Sequence, residues 1–385
     1  MDIISFVMGF LLGLCAGFLP GIHPNTLASV LSTSPLSDHS TAMMLIGMFP
    51  ANVIASFVPA IFFGIPEAGT LVSALPGHRM TMQGKGLIAL KTVLISILIA
   101  ILFAAFLFYP SLFVFPYLYS LVKPVLKYIV LILAGILIFK SRKKFLAAVV
   151  FICAGLLGYF SLNSEMPDPF MPLFSGMFAV GALLNMTESK IPKQKKEGMF
   201  KINLVPYILL GVLFGLFADV LPGISSPSQM ATFMGIAVPM NSLAYLSSVS
   251  SISISESLFS LSTNVSIDKS RIGTTAWLSE FINIEQNLIL LIILFILSAS
   301  MAALILYLLR RKISAIAVMN SRPIAVILIV YLFIVAALLD GFLGIIVFIV
   351  ASGLGWITVK LGVERTQLMG AVIIPTLMLL FGIFL

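Results

Sequence analysis

Residues 9–22, GFLLGLCAGFLPGI, return 202 positions later as residues 211–224, GVLFGLFADVLPGI, with nine of the fourteen positions identical. Each copy lies inside a long apolar stretch, 3–31 and 204–238, and each ends in Leu-Pro-Gly-Ile. Pro20 and Pro222 lack an N–H and clash with the preceding turn, while Gly21 and Gly223 admit unusual backbone angles, so the helix is expected to break there. A new helix is expected to start at once: Ser226 before Pro227 fits an N-cap followed by proline at the first helical position, and His23 before Pro24 is placed similarly. Irregular backbone at membrane depth is tolerated only where protein buries it or it lines a watery cavity.

A helix start offers free N–H groups and about half a positive charge, which suits a carboxylate or phosphate. Two such starts brought together would form an anion site. Its expected residues are Pro20, Gly21, His23, Asn25 and Thr26 in the first copy and Pro222, Gly223, Ser225, Ser226, Ser228 and Gln229 in the second. The alternative is a pair of proline kinks capped by small polar residues.

Composition sets the solvent. The 385 residues are 60% hydrophobic and 9% charged, against roughly 25% charged in soluble proteins. A mean hydropathy of +1.17 excludes a soluble domain, a disordered chain and a nucleic-acid binder despite the net charge of +8. Cys15 and Cys153 both lie in apolar runs and make neither a disulfide framework nor a multi-cysteine metal site.

Spans of about 20 apolar residues are clearest at 88–109, 128–139, 145–162, 169–185, 288–309, 324–339, 342–359 and 368–385. Residues 187–201, with five Lys against two Glu, divide the chain. The expected organisation is an N-terminal transmembrane repeat (1–186), a basic cytoplasmic linker (187–201) and a C-terminal transmembrane repeat (202–385). Basic groups at Lys140–Lys144, the linker, Arg310–Lys312 and Lys360/Arg365 alternate with acidic loops at Glu165/Asp168, Glu280/Glu285 and Asp340. The positive-inside bias then places all four basic groups in the cytoplasm of a prokaryotic cell membrane and both termini outside. The 88–109 span leaves the cytoplasm whereas its counterpart, 288–309, enters it, so equivalent helices are expected to run oppositely. The fold class is an all-α polytopic membrane protein: two inverted-topology repeats with broken helices or re-entrant hairpins and about ten to twelve membrane segments. Secondary transporters are built this way, with their sites near the midplane.

Ionisable groups inside spans are functional candidates by default. Asp219, just before Pro222, and Glu67 and Glu256, in polar stretches, are the candidates for cation coupling or for pairing with Arg79, Lys269 or Arg271. An offset of 189 pairs Glu67 with Glu256 and Gly84 with Gly273. The serine-rich run 247–266 is too polar to face lipid and either lines a cavity or packs helices.

The stretch FGIPEAG (63–69), followed by Ser73-Ala74-Leu75-Pro76-Gly77 and by Met80, Gln83, Gly84 and Lys85, together with Leu19-Pro20-Gly21-Ile22, resembles the large membrane subunit of tripartite tricarboxylate transporters. The likeness is good over the first 110 residues or so, looser in the second repeat, and the chain is shorter than typical members. It implies a permease moving a small anionic carboxylate on a Na+ or H+ gradient, normally with a small membrane subunit and an extracytoplasmic binding protein. Residues 218–225, ADVLPGIS, also look like a motif of membrane proteins that recycle polyprenyl-phosphate carriers, whose lipid phosphate would suit the same helix ends. No enzyme is expected, because no HExxH or GxSxG pattern occurs. No cofactor is expected beyond Na+ as a coupling ion, and no nucleic acid; membrane lipids surround the chain.

Overall fold

The computed structural model describes residues 2–19, 24–32, 34–64, 71–184, 191–195, 200–218, 227–270, 272–317 and 321–383. Among these the secondary structure is wholly helical. The first half contributes α1 (Asp2–Ala16), α2 (Pro24–Ser32), α3 (Asp38–Ala55), α4 (Phe57–Phe63), α5 (Leu71–Met82), α6 (Gly86–Val122), α7 (Leu126–Lys140), α8 (Lys144–Leu162), α9 (Phe170–Phe174) and, after a π-helical Ser175–Val180, α10 (Gly181–Leu183). The second contributes α11 (Val205–Ala218), α12 (Pro227–Ala237), α13 (Ser242–Ile267), α14 (Gly273–Phe281), α15 (Leu288–Ala317), α16 (Ser321–Lys360) and α17 (Gly370–Phe381).

Five helical stretches among the described residues are long and apolar enough to cross a membrane: Asp38–Phe63, Gly86–Lys140, Lys144–Leu162, Leu288–Ala315 and Ala325–Lys360. Shorter apolar helices accompany them. The expected separate spans 88–109 and 128–139 are one bent rod, because Pro110 and Pro116 sit inside α6 without ending it and a 3-10 turn, Lys123–Val125, carries the chain directly into α7. Helix-breaking residues persist in membrane helices where neighbours satisfy the freed backbone; Ser111 Oγ donates to Phe108 O inside this rod.

Small residues set the packing of α1 on α3. A Cβ on Gly9 would collide with the Met44 carbonyl, one on Gly13 with Met48, and one on Gly17 with Asn52. Contacts that advance together along both helices mean that α1 and α3 run parallel. In the second half Gly211 meets Ser248 and Gly215 meets Ile252 and Ser255, so α11 and α13 are parallel too. A chain that leaves one helix and enters a parallel neighbour must first return to the starting end. The short α2 and α12, nine and eleven residues long, lie on those return paths. At 1.5 Å per residue α2 covers about 14 Å, near half of the ~30 Å apolar thickness. The caps correspond as well: Ser37 accepts from Ser40 N before α3, and Asn241 accepts from Leu243 N and Ala244 N before α13.

Packing across the halves is reciprocal. Helix α3 lies on α15, where Ser298 Oγ donates to Gly47 O (2.6 Å). Helix α13 lies on α6, where the Ser111 and Ser262 hydroxyls meet at 2.7 Å. Helix α14 lies beside α2 and α3, and α5 beside α12 and α13. All these elements share one core.

A second lobe, with cores of its own, is formed by α7 to α10, α16 and α17. It too draws on both halves. Helix α8 packs on α17, where Gly158 abuts Ala371; α16 packs on the π-helical stretch, where Gly355 abuts Met177. Lys143 Nζ, just before α8, donates to Leu361 O, just after α16 (2.6 Å), and Ser141 Oγ donates to the Glu364 carboxylate at the same end. At the other end Asp168 N, beyond α8, donates to Asp340 Oδ1 (2.8 Å), where Gly341 (φ 61, ψ −143) bends α16. The start of α8 thus lies beside the end of α16 and its end beside the bend, so α8 and residues 342–360 run in opposite directions. The bend falls where the sequence separates the spans 324–339 and 342–359. Between the lobes no helix packs extensively along another among the described residues.

Candidate functional site

Each Pro-Gly element lies between two described helices. Helix α1 stops at Ala16 and α2 starts at Pro24; α11 stops at Ala218 and α12 starts at Pro227. In each copy a proline takes the first helical position, where its missing N–H leaves no bond unmade. Pro20, Gly21, His23, Pro222, Gly223, Ser225 and Ser226 lie outside the described residues, as do Asp219 and Glu67. The backbones of Thr26, Ser228 and Gln229 lie in the first turns of α2 and α12, their side chains outside the description. Asn25 is half-buried at the start of α2 and abuts Gly273, the first residue of α14, so closely that a Cβ there would lie 2.5 Å from Asn25 Nδ2. The start of one half-helix therefore meets the start of a helix from the other half.

Glu256 is 4% exposed in the middle of α13. Its backbone N lies 3.0 Å from where a Cβ on Gly215 would be, which sets it beside the last turn of α11 before the second break. The matching neighbours of Gly13 and Gly215, Met48 and Ile252, are 204 residues apart, and the same offset pairs Glu256 with Asn52. Asn52 is 1% exposed, lies beside Gly17 at the first break, and its Nδ2 has no hydrogen-bond partner among the described residues. Sequence reasoning missed it: the offset of 189 pairs Glu256 with Glu67 and the Pro-Gly offset of 202 pairs it with Ile54, whereas the packing of the helices follows an offset of 204.

The serine run is an element of packing. Ser248, Ser251, Ser253, Ser255 and Ser257 each donate to a carbonyl one turn back in α13, and Ser260 meets Thr275 at 2.5 Å. Small self-bonded hydroxyls let helices approach closely, and Gly211 and Gly215 press against them. A small void of about 10 Å³ lies near Ser257, Thr274 and Thr275, on the scale of one water; the buried Thr274 Oγ1 has no partner among the described residues. No group of three His, Cys, Asp or Glu side chains able to hold a metal occurs among the described residues. A cation here would be met by hydroxyl, amide, carbonyl and single carboxylate oxygens, the ligands of alkali ions rather than of transition metals.

Residues 3–370 match the family described as "Tripartite tricarboxylate transporter TctA family". An uncharacterized protein of Methanocaldococcus jannaschii is 25% identical over 395 residues, covering 98% of each chain. No solved structure matches. The polyprenyl-phosphate reading gains no support from these comparisons. Both broken helices fall inside the matched region, the chain is a transporter component and not an enzyme, and it belongs to the tripartite tricarboxylate transporter TctA family.

Proposed function

We propose that the chain is the permease of a secondary transporter that moves a small carboxylate across a prokaryotic cytoplasmic membrane by alternating access, driven by Na+ or H+. The observation that carries this reading is the pair of half-length helices, α2 and α12, at equivalent places in the repeat, each starting at a proline and each packed on the opposite half. Their N-terminal amides favour an anion. Residues 20–26 and 222–229 form the site, with carboxylate oxygens between the two breaks. The reciprocal packing and the opposed directions of α8 and residues 342–360 support inverted repeats, and the single core around both breaks supports a transport lobe distinct from a framework lobe.

Glu256, with Asn52 at the equivalent position and Asp219 before the second break, is the coupling group. A buried carboxylate in an apolar span is unfavourable by about 3 kcal/mol or more, and a proton or Na+ relieves that. The small membrane subunit and extracytoplasmic binding protein of the tripartite arrangement complete the system, with the 187–201 linker in the cytoplasm and both termini outside.

Proteoliposomes holding the protein and given labelled di- and tricarboxylates, with and without an imposed Na+ or H+ gradient, provide the test. Gradient-dependent uptake is expected, and Gly21→Val or Gly223→Val is expected to abolish it while membrane insertion stays normal. Undiminished uptake in both variants overturns the helix-end site.

A further inference from the structure

The two lobes meet along an apolar groove of about 370 Å³. Leu118, Val122 and Ile129 line it from the bend between α6 and α7, and Phe214, Phe217 and Phe233 from α11 and α12. Phe233 packs against the cores of both lobes. Every side chain on the wall is apolar, so water gains no partner there and hydrocarbon is the matching filling.

A transmembrane helix does not fit. At about 10 Å across and 30 Å long it occupies roughly 2,000 Å³, several times the groove. A lipid chain is narrow enough.

Charge then selects the lipid. Lys123 is exposed on the 3-10 turn of the bend, one residue from Val122. Lys127 Nζ lies 5.2 Å from the Tyr128 ring and 5.3 Å from that of Phe381, and Lys269 Nζ lies 5.3 Å from the ring of Tyr119, next to Leu118. None of these lysines makes an ion pair among the described residues, although Asp268 adjoins Lys269 in sequence. Ammonium groups held over aromatic rings beside an apolar slot match a phosphate joined to a hydrocarbon tail.

We propose that this groove holds one anionic phospholipid, its chain along Leu118, Val122, Phe214, Phe217 and Phe233 and its phosphate among Lys123, Lys127 and Lys269. The lipid fills the seam between the lobes, where protein–protein contact is sparse. The groove borders the second break, since Phe217 lies in the last turn of α11 and Phe233 in α12, but its lipid does not depend on the carboxylate reading.

The full chain, purified in mild detergent and stripped of lipid, is to be titrated with phosphatidylglycerol or phosphatidylcholine and followed by native mass spectrometry and thermal melting. One phosphatidylglycerol is expected to be retained and to raise the melting temperature, with phosphatidylcholine bound at least about ten-fold more weakly. The triple variant Lys123→Gln/Lys127→Gln/Lys269→Gln is expected to lose that preference with its helix content unchanged. Leu118→Trp, which fills the slot and keeps the lysines, is expected to lose the bound lipid. Equal protection by both lipids, or unchanged phosphatidylglycerol retention in the triple variant, overturns the proposal, as does retention undiminished by Leu118→Trp.

Discussion

Buried side chains decide most at the smallest scale. Glu256 and Asn52 occupy equivalent positions beside the two breaks, one ionisable and one fixed as neutral, so only the second half can change charge there. Glu256→Gln is expected to fold and to bind substrate but to uncouple uptake from the ion gradient, measured as equal uptake with and without the gradient. A second residue reports on pH. His78 lies on α5, twelve residues long and too short to cross the bilayer, with its Nδ1 3.2 Å from Phe62 O. Gly64, at φ 63, presses on its ring. Burial holds the imidazole below its ordinary 6.5, helped by the charge of Arg365 and opposed by hydrogen bonds to Phe62 and Ile61. The fold therefore favours neutral His78, and the stability it contributes is present above its unfolded-state value and is lost as pH falls below it. The melting temperature is expected to drop as pH falls below the ordinary histidine value of 6.5, by less in His78→Gln. At this scale the sequence was only partly legible. A lone Asn in an apolar run carries no signal until the partner helix is known, and Asn52 emerged only from the packing register.

Helices were more legible. Asp340-Gly341, between the expected spans 324–339 and 342–359, announces the bend in α16, and short helices start at Pro24 and Pro227, just after the two Pro-Gly elements. Pro110 and Pro116 lie inside α6 without ending it: proline removes one hydrogen bond, and a long apolar helix held by neighbours along its length survives that loss. Gly9, Gly13, Gly211 and Gly215, repeated in both copies, are close-approach points, since added Cβ atoms there collide with the facing helix. The same holds for Gly158 and Gly355, each against a backbone carbonyl. Gly158→Ala and Gly355→Ala are expected to destabilise the protein by about 1–3 kcal/mol, read as a lower melting temperature, although alanine is the better helix former by about 1 kcal/mol. Carbonyls cannot step aside as a flexible side chain can.

The whole molecule was least legible. Hydropathy marks which residues leave water but not which partner they meet, and the interleaving of helices from both halves into two lobes is of that second kind. Motion between lobes, and not between halves, is the expected transport step. Cysteines at Ile129 and Phe233, which face one groove from different lobes, are expected to stop uptake when oxidised and to restore it on reduction, with Cys15 and Cys153 replaced. A pair at Ser141 and Glu364, inside one lobe, is expected to leave uptake intact.

Interleaving also governs how the protein is made. When the ribosome has released residues 1–186, α3 still lacks α15, α6 lacks α13 and α8 lacks α17, so neither lobe can close. The nascent half must persist in the bilayer with glycine-lined faces unmatched, a natural target for membrane proteases until translation ends. Cutting the gene within the 187–201 segment and expressing both pieces together should yield an assembled protein, whereas the first piece alone should be degraded.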